Sequence, residues 1–219
     1  MYNPNPFIPG VSITFIFFLR SYISEKVVVC CPDFFDSEIG SVLIDKLSSR
    51  EFKSVDLIIQ SSGVAYINSK LDWKKEEDTI KTNVLGVTKL YDLSFNLFRK
   101  QGFGHLVGIS SIASIRGSRS APAYFSSKAY QKAYLESLYI NAKTINSNKV
   151  LITDIRPGFV DTAMALGEGI FWLVPLDKAA KQIYSAIQKK KRVAYISKRW
   201  ALIAFVLKIV PSWLLRKIM

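Results

Sequence analysis

The chain of 219 residues, about half of them apolar, is long enough for one globular domain with a full core. Its formal charge of +13 first suggests nucleic acid, yet from Lys178 onward there are only cations and no Asp or Glu, so the excess belongs to one end and makes no case for a nucleic-acid partner. Adjacent Cys30 and Cys31 in an apolar run argue against a disulfide or a metal pair, and a Ser-His-Asp hydrolase would have to use the single histidine, His105, which reads as a strand residue at the start of "HLVGISS".

In chain order, the first apolar stretch is "VSITFIFFL", followed by Arg20. It is shorter than the ~20 residues a membrane-spanning helix needs and lacks the cationic lead of a secretion signal, so it is read as buried. "KVVVCC", "VDLIIQ", "HLVGIS", "VLITDI" and "VAYIS" are short runs rich in β-branched residues, the pattern of strands buried on both faces. Helical patterns fill the intervals: Asp36 to Ser49, Lys74 to Lys100, Ala123 to Asn146, and Asp177 to Lys190 with Asp177 as its N-cap and Pro175 as the stop before it. This alternation predicts a three-layer α/β fold with a mostly parallel sheet. Residues 1–197 are expected to form that domain, with 1–26 divergent, and 198–219 a basic amphipathic helical tail divided by Pro211. Buried cysteines suit a reducing, cytoplasmic setting.

Ligands of open α/β sheets gather beyond the carboxyl ends of the strands. Those ends read Gln60-Ser61-Ser62-Gly63, Ser110-Ser111 and Arg156-Pro157-Gly158. Ser111 is therefore expected to point into a crevice, and thirteen residues later Tyr124 opens a helix that carries Lys128 one turn on. Tyr22/Lys26, Tyr66/Lys70 and Tyr139/Lys143 share the i, i+4 spacing, which makes neighbours on any helix, but none has a serine at a strand end thirteen residues before it.

Taken in order, "PDFFD", "VDLIIQSSG", "TNVLGV", "GISSIAS", "YFSSK" and "RPGFVDT" resemble the short-chain dehydrogenase/reductase family from about Asp33 to Thr162. The resemblance implies a Rossmann-like, doubly wound sheet, NAD or NADP as cofactor, and interconversion of a carbonyl and an alcohol. Tyr124 would move the proton at the substrate oxygen, Lys128 would stabilise its phenolate and hold the nicotinamide ribose, Ser111 would orient the oxygen, and Asn83 would anchor a water in the proton relay. It also implies that Asp33 contacts adenine, that Ser61, Ser62 and Gly63 line the adenosine side, and that Pro157, Gly158, Val160 and Thr162 enclose the nicotinamide. No metal is implied. Read without the resemblance, Asp33 and Asp36 equally suit a helix cap, Asn83 a polar mid-helix residue, and Pro157-Gly158 a turn. Dimers or tetramers through the long helices belong to the same resemblance.

The chain departs from the family where a first strand should run into a glycine-rich, pyrophosphate-binding turn: Gly10 stands alone before "VSITF". Either "VVVCC" moves inward to pair with "VDLII", or "ITFIFF" supplies a substitute strand, or the cofactor site is lost from a decayed or incomplete copy; the expectation is the first, an N-terminally shortened sheet. The greasy segment "AMALGEGIFWLVP" occupies the place of a substrate loop and suits an apolar substrate. The tail, with Trp200 and Trp213 among cations, reads either as a peripheral membrane contact or as helices packed on the core. A second functional reading follows from the missing glycines: a family remnant without activity, serving as a subunit-binding or peripheral membrane module.

Overall fold

The computed structural model of the chain describes residues 27–30, 54–144, 149–162 and 172–218. The N-terminal apolar run, Asp33, the helix expected over 36–49 and most of the expected substrate loop lie outside them.

Five strands form one parallel sheet in the order β1-β2-β3-β4-β5: β1 Val27–Cys30, β2 Leu57–Gln60, β3 Gly104–Ile109, β4 Val150–Pro157 and β5 Val193–Ile196. Each coincides with an apolar run read as a strand. β1 pairs with β2 from Val27↔Leu57 to Cys30↔Gln60, which is the expected pairing of "VVVCC" with "VDLII".

The period-2 alternation of side chains sorts the sheet into two faces. Ile58, Leu106 and Ile152 face one way, into a core shared with Tyr91, Phe95, Phe98 and Leu135. Ile59, Val107, Ile155 and Ala194 face the other, against Ala179, Ala180 and Ile183. With helices on both faces, strands must be apolar throughout, which is why these runs lack the alternating polarity of a half-exposed sheet. Burial of one such side chain, Phe98 for example, stabilises the fold by ~2 kcal/mol.

The first core's helices are α1 Trp73–Ile80, α2 Val87–Gln101 and α3 Pro122–Thr144. α1 starts at Asp72, whose side chain accepts from the Lys74 N–H. The sequence pattern predicts one uninterrupted helix over Lys74 to Lys100. Instead α1 and α2 are separated by a π-helical turn, Lys81–Gly86, which widens the helix at Asn83. α2 ends at Gly102, which adopts φ 82° while its N–H reaches the Phe98 carbonyl. Proline at the first position of α3 fits a helix start, because the N–H it lacks would have no partner there.

On the second face lies α4 Leu176–Gln188; α5 Arg199–Ile209 follows β5 and packs through Trp200 on Gly158, and α6 Ser212–Ile218 follows it. Asp177 is not the N-cap of α4: Pro175 holds that position, and Asp177 sits in the first turn, where its charge favours the helix N-terminus without capping it. The break between α5 and α6 falls at Pro211, as the sequence implies.

Candidate active site

Parallel register brings the ends of the inner strands to one rim. Gln60 pairs with Gly108, Gly108 with Asp154, Ile109 with Ile155, and Pro157 with Ile196. The chain then leaves β3 through Ser110 and Ser111, whose side chains diverge. Ser110 Oγ donates to Asp154 Oδ1 at 2.5 Å. Ser111 is extended and caps a 3-10 turn, Ile112–Ile115, its Oγ accepting from the Ala113 N–H at 3.1 Å. The hydroxyl of Tyr124, in the first turn of α3, is near enough to Ser111 for that side chain to act on its proton. Burial raises the Tyr124 phenol above its ordinary value, and the Ser111 side chain opposes that rise.

Lys128 is buried one turn along α3, its Nζ 5.9 Å from the centroid of the Tyr124 ring. The ammonium donates to the Ile109 carbonyl at 3.1 Å and to Gln131 Oε1 at 3.0 Å. Burial lowers its pKa to about 8, and the carboxylate of Asp154 works against that fall. Asp154 is itself pushed up by burial and held down by Arg156 and Ser110. Both Nε and Nη2 of Arg156 lie 2.7 Å from Asp154 Oδ2, so the ion pair is forked on one oxygen in a nearly dry setting.

Asn83, fully buried in the π turn, ties three segments together. Its Oδ1 accepts from Val64 N, and its Nδ2 donates to the Val64 carbonyl, both at 2.8 Å, and to Ser127 Oγ at 3.0 Å. Its own carbonyl accepts from Gln131 Nε2 at 2.8 Å. The Gln131 amide thus bridges Lys128 Nζ and the Asn83 carbonyl, the interval in which the resemblance implies a water. Gln131 went unnoticed in the sequence although it lies three residues after Lys128, where a helix puts it on the same face. Asp154 also carried a signal, since a lone carboxylate inside a buried apolar strand requires a partner.

The remaining expected binding residues divide. A side chain at Gly63 would meet Asn83 Oδ1 at 3.3 Å and Lys128 Nζ at 3.4 Å, so this buried glycine lets the backbone after β2 pack closely against the amide and the ammonium. Ser61 is half-buried beside it, whereas Ser62 is buried and accepts from Gln60 Nε2 at its hydroxyl, 3.1 Å, and its carbonyl, 2.6 Å. Pro157 and Gly158 leave β4 at the rim, Gly158 N donating to the Ile196 carbonyl. A Cβ on Gly158 would lie 1.9 Å from the buried Trp200 of α5, so tight packing on that helix accounts for the glycine. Val160 packs on the second core, and Thr162 Oγ1 contacts the Val160 carbonyl at 3.4 Å.

The short chain dehydrogenase family model matches residues 19–168, more than half of the chain. The chain belongs to that family. An uncharacterised oxidoreductase of Myxococcus xanthus is 32% identical over 116 residues, 52% of this chain and 45% of that protein. Sepiapterin reductase of Chlorobaculum tepidum is 31% identical over 117 residues, 52% of this chain and 47% of the reductase. The chain thus spans about half the length of these curated relatives. Among solved structures, a short chain dehydrogenase of Burkholderia cenocepacia in complex with NADP is similar at TM-score 0.68 and 18% identity, covering 81% of this chain and 74% of that one. One from Sphingobium yanoikuyae in complex with NADPH reaches 0.67 at 14% identity, covering 88% and 87%. These likenesses confirm the Rossmann-like α/β fold.

Proposed function

We propose that the chain interconverts a carbonyl and an alcohol on an apolar small molecule, with NAD or NADP as the redox partner. One observation carries the reading: a phenol beside a serine hydroxyl, with a buried ammonium behind its ring and a glycine backbone packed against that ammonium, all at the carboxyl ends of the strands. The fit of a dinucleotide rests on Lys128, which has a third N–H beyond the two given to Ile109 and Gln131, and on Gly63, which puts no side chain beside it. Lys128 would hold the nicotinamide ribose, Ser61 and Gly63 the adenosine side, and Pro157, Val160 and Thr162 the nicotinamide. A bound nicotinamide supplies or accepts the hydride at the substrate carbon.

The chain's own residues manage the oxygen. Ser111 orients it by a hydrogen bond, and Tyr124 exchanges a proton with it as general acid or base. A buried phenol with a raised pKa keeps its proton at neutral pH, which suits it to protonate a nascent alkoxide and so to carbonyl reduction. The nearby ammonium makes that phenol a better acid. Its contribution ends as Lys128 deprotonates near pH 8, so reduction should slow above that pH. Gln131 fixes the ammonium's direction, and Asp154 sustains its charge.

Exposed Trp172 and Leu173, at the end of the greasy segment, support an apolar substrate. Exposed Leu85 and Ile140 on the helical layer support assembly through the long helices. Oxidation of NADH and NADPH should be followed with a panel of hydrophobic aldehydes and ketones, comparing wild type with Tyr124→Phe. Turnover lost in the variant supports the reading, and equal rates in both refute it.

A further inference from the structure

α5 has the sequence "RWALIAFVLKI", apolar except for Arg199 and Lys208. A helix of that kind ordinarily has all its faces covered. Here one face is covered: Trp200 and Ala204 are buried, with Trp200 against Gly158 and edge-on to Phe159 at 5.5 Å. Arg116 binds the end of the helix through the Leu207 and Val210 carbonyls. At about 100° per residue, Leu202, Phe205, Val206 and Ile209 fall on the opposite side. They are exposed by 63, 62, 42 and 66%, and Trp213 of α6 by 65%.

We propose that this outer face seats the protein on an anionic lipid bilayer, with α5 lying in the plane of the interface. Charge selects the occupant. Lys208 and Arg199 flank the apolar stripe on its two sides, Lys198 and Arg216 lie beyond its ends, and no carboxylate side chain occurs from Lys178 onward. A second copy docked face to face would bring these cations against their own kind, whereas an anionic headgroup layer neutralises them. Nucleic acid would satisfy the charge but offers no apolar interior for Phe205 and Ile209. The helix, about 16 Å long at ~1.5 Å per residue, is too short to cross a hydrocarbon core of ~30 Å, so it inserts sideways. No helix among the described residues is long and apolar enough to span.

Next to the stripe the described residues outline a cleft of about 340 Å³ whose lining includes Trp172, Leu173, Lys178, Lys198 and Arg199, a cationic rim suited to a headgroup phosphate. The inner face of the same helix packs on Gly158, beside the proposed nicotinamide loop. A chain seated this way takes an apolar substrate from the phase in which it dissolves.

The test is flotation of the full chain with phosphatidylcholine vesicles, with and without phosphatidylserine, read together with tryptophan emission, the share of Trp213 taken by difference from Trp213→Phe. Wild type is expected to float with the anionic vesicles and its emission to move to the blue. The double variants Phe205→Ser/Ile209→Ser and Lys208→Glu/Arg216→Glu should each bind at least about tenfold more weakly. All substituted side chains are surface-exposed or flank the stripe, and an unchanged circular dichroism spectrum checks that they fold. Equal flotation of all three proteins overturns the proposal. So does a wild-type dimer in light scattering that Phe205→Ser/Ile209→Ser makes monomeric with no vesicle binding by either, or RNA retention lost only in the charge variant without flotation of the wild type. Lipid binding and reductase activity are separate readouts, so either can fail alone.

Discussion

His105 and Lys128 are buried at opposite ends of the same strands, and burial lowers the pKa of both, to about 4 and about 8. Five residues of β3, roughly 17 Å at ~3.3 Å each, separate His105 from Ser110 at the reactive rim. His105 Nε2 lies 2.7 Å from Thr153 Oγ1, which spends its own proton on the Lys191 carbonyl at 2.6 Å, so the neutral imidazole donates through Nε2. Its setting is closed by protein. Lys128 has an equally dry setting, but its ammonium faces a glycine and a phenol. Desolvation thus makes a titratable group unusual, and convergent polar groups at the carboxyl ends of the strands turn it into a candidate site.

The sharpest way to separate the two ends is Tyr124→Phe, which should lower kcat by about a thousandfold and leave thermal stability nearly unchanged. The converse holds at the amino end. Because the folded pKa of His105 lies below its unfolded value near 6.5, its stability contribution is present above pH 6.5 and lost as pH falls through 4. That amounts to about 3 kcal/mol between pH 7 and pH 4 in denaturant titrations, a loss His105→Gln should largely remove with activity kept.

Lys128→Met tests whether burial of the ammonium is a cost carried for chemistry. Its depressed pKa means that the charged form opposes folding below about pH 8 and that this relief is complete only above the unfolded pKa near 10.5. After allowance for the acceptors left on Ile109 and Gln131, the variant should gain ~1–2 kcal/mol at pH 7, fade to no gain above pH 10.5, and be inactive. A variant less stable at every pH would place Lys128 with the structural residues instead. The smallest effect is expected at Gln131. Gln131→Leu should reduce kcat by about tenfold and move the alkaline limb of the reduction profile below pH 8, while Gln131→Glu should move it upward. Equal profiles for all three would make Gln131 a packing residue only.

The layered fold was legible because every described strand coincides with a run dominated by apolar and β-branched residues and the intervals carry helical periodicity. Ser111, Tyr124 and Lys128 were legible because one fixed spacing relates a strand end to a helix start. The π turn at Asn83 was not, since nothing in "TNVLG" departs from helix-forming composition, and its cause lies in the bonds from Asn83 to Val64 and Ser127, which are remote in sequence. Trp200 escaped for a similar reason. Its pairing with Gly158 joins residues remote in sequence, and local pattern reads that glycine only as part of a turn. The N-cap of α4 was misplaced by two residues because an acidic residue near a helix start suits both the cap and the first turn.

Fluorescence titration of the purified full chain with NADH and NADPH addresses the central claim most directly. Saturable binding of at least one of them, with energy transfer from protein tryptophan and marked weakening in Gly63→Val, is the expected result. If neither nucleotide binds, or if both bind Gly63→Val as tightly as wild type, the site beside Lys128 does not hold the dinucleotide and the redox account fails.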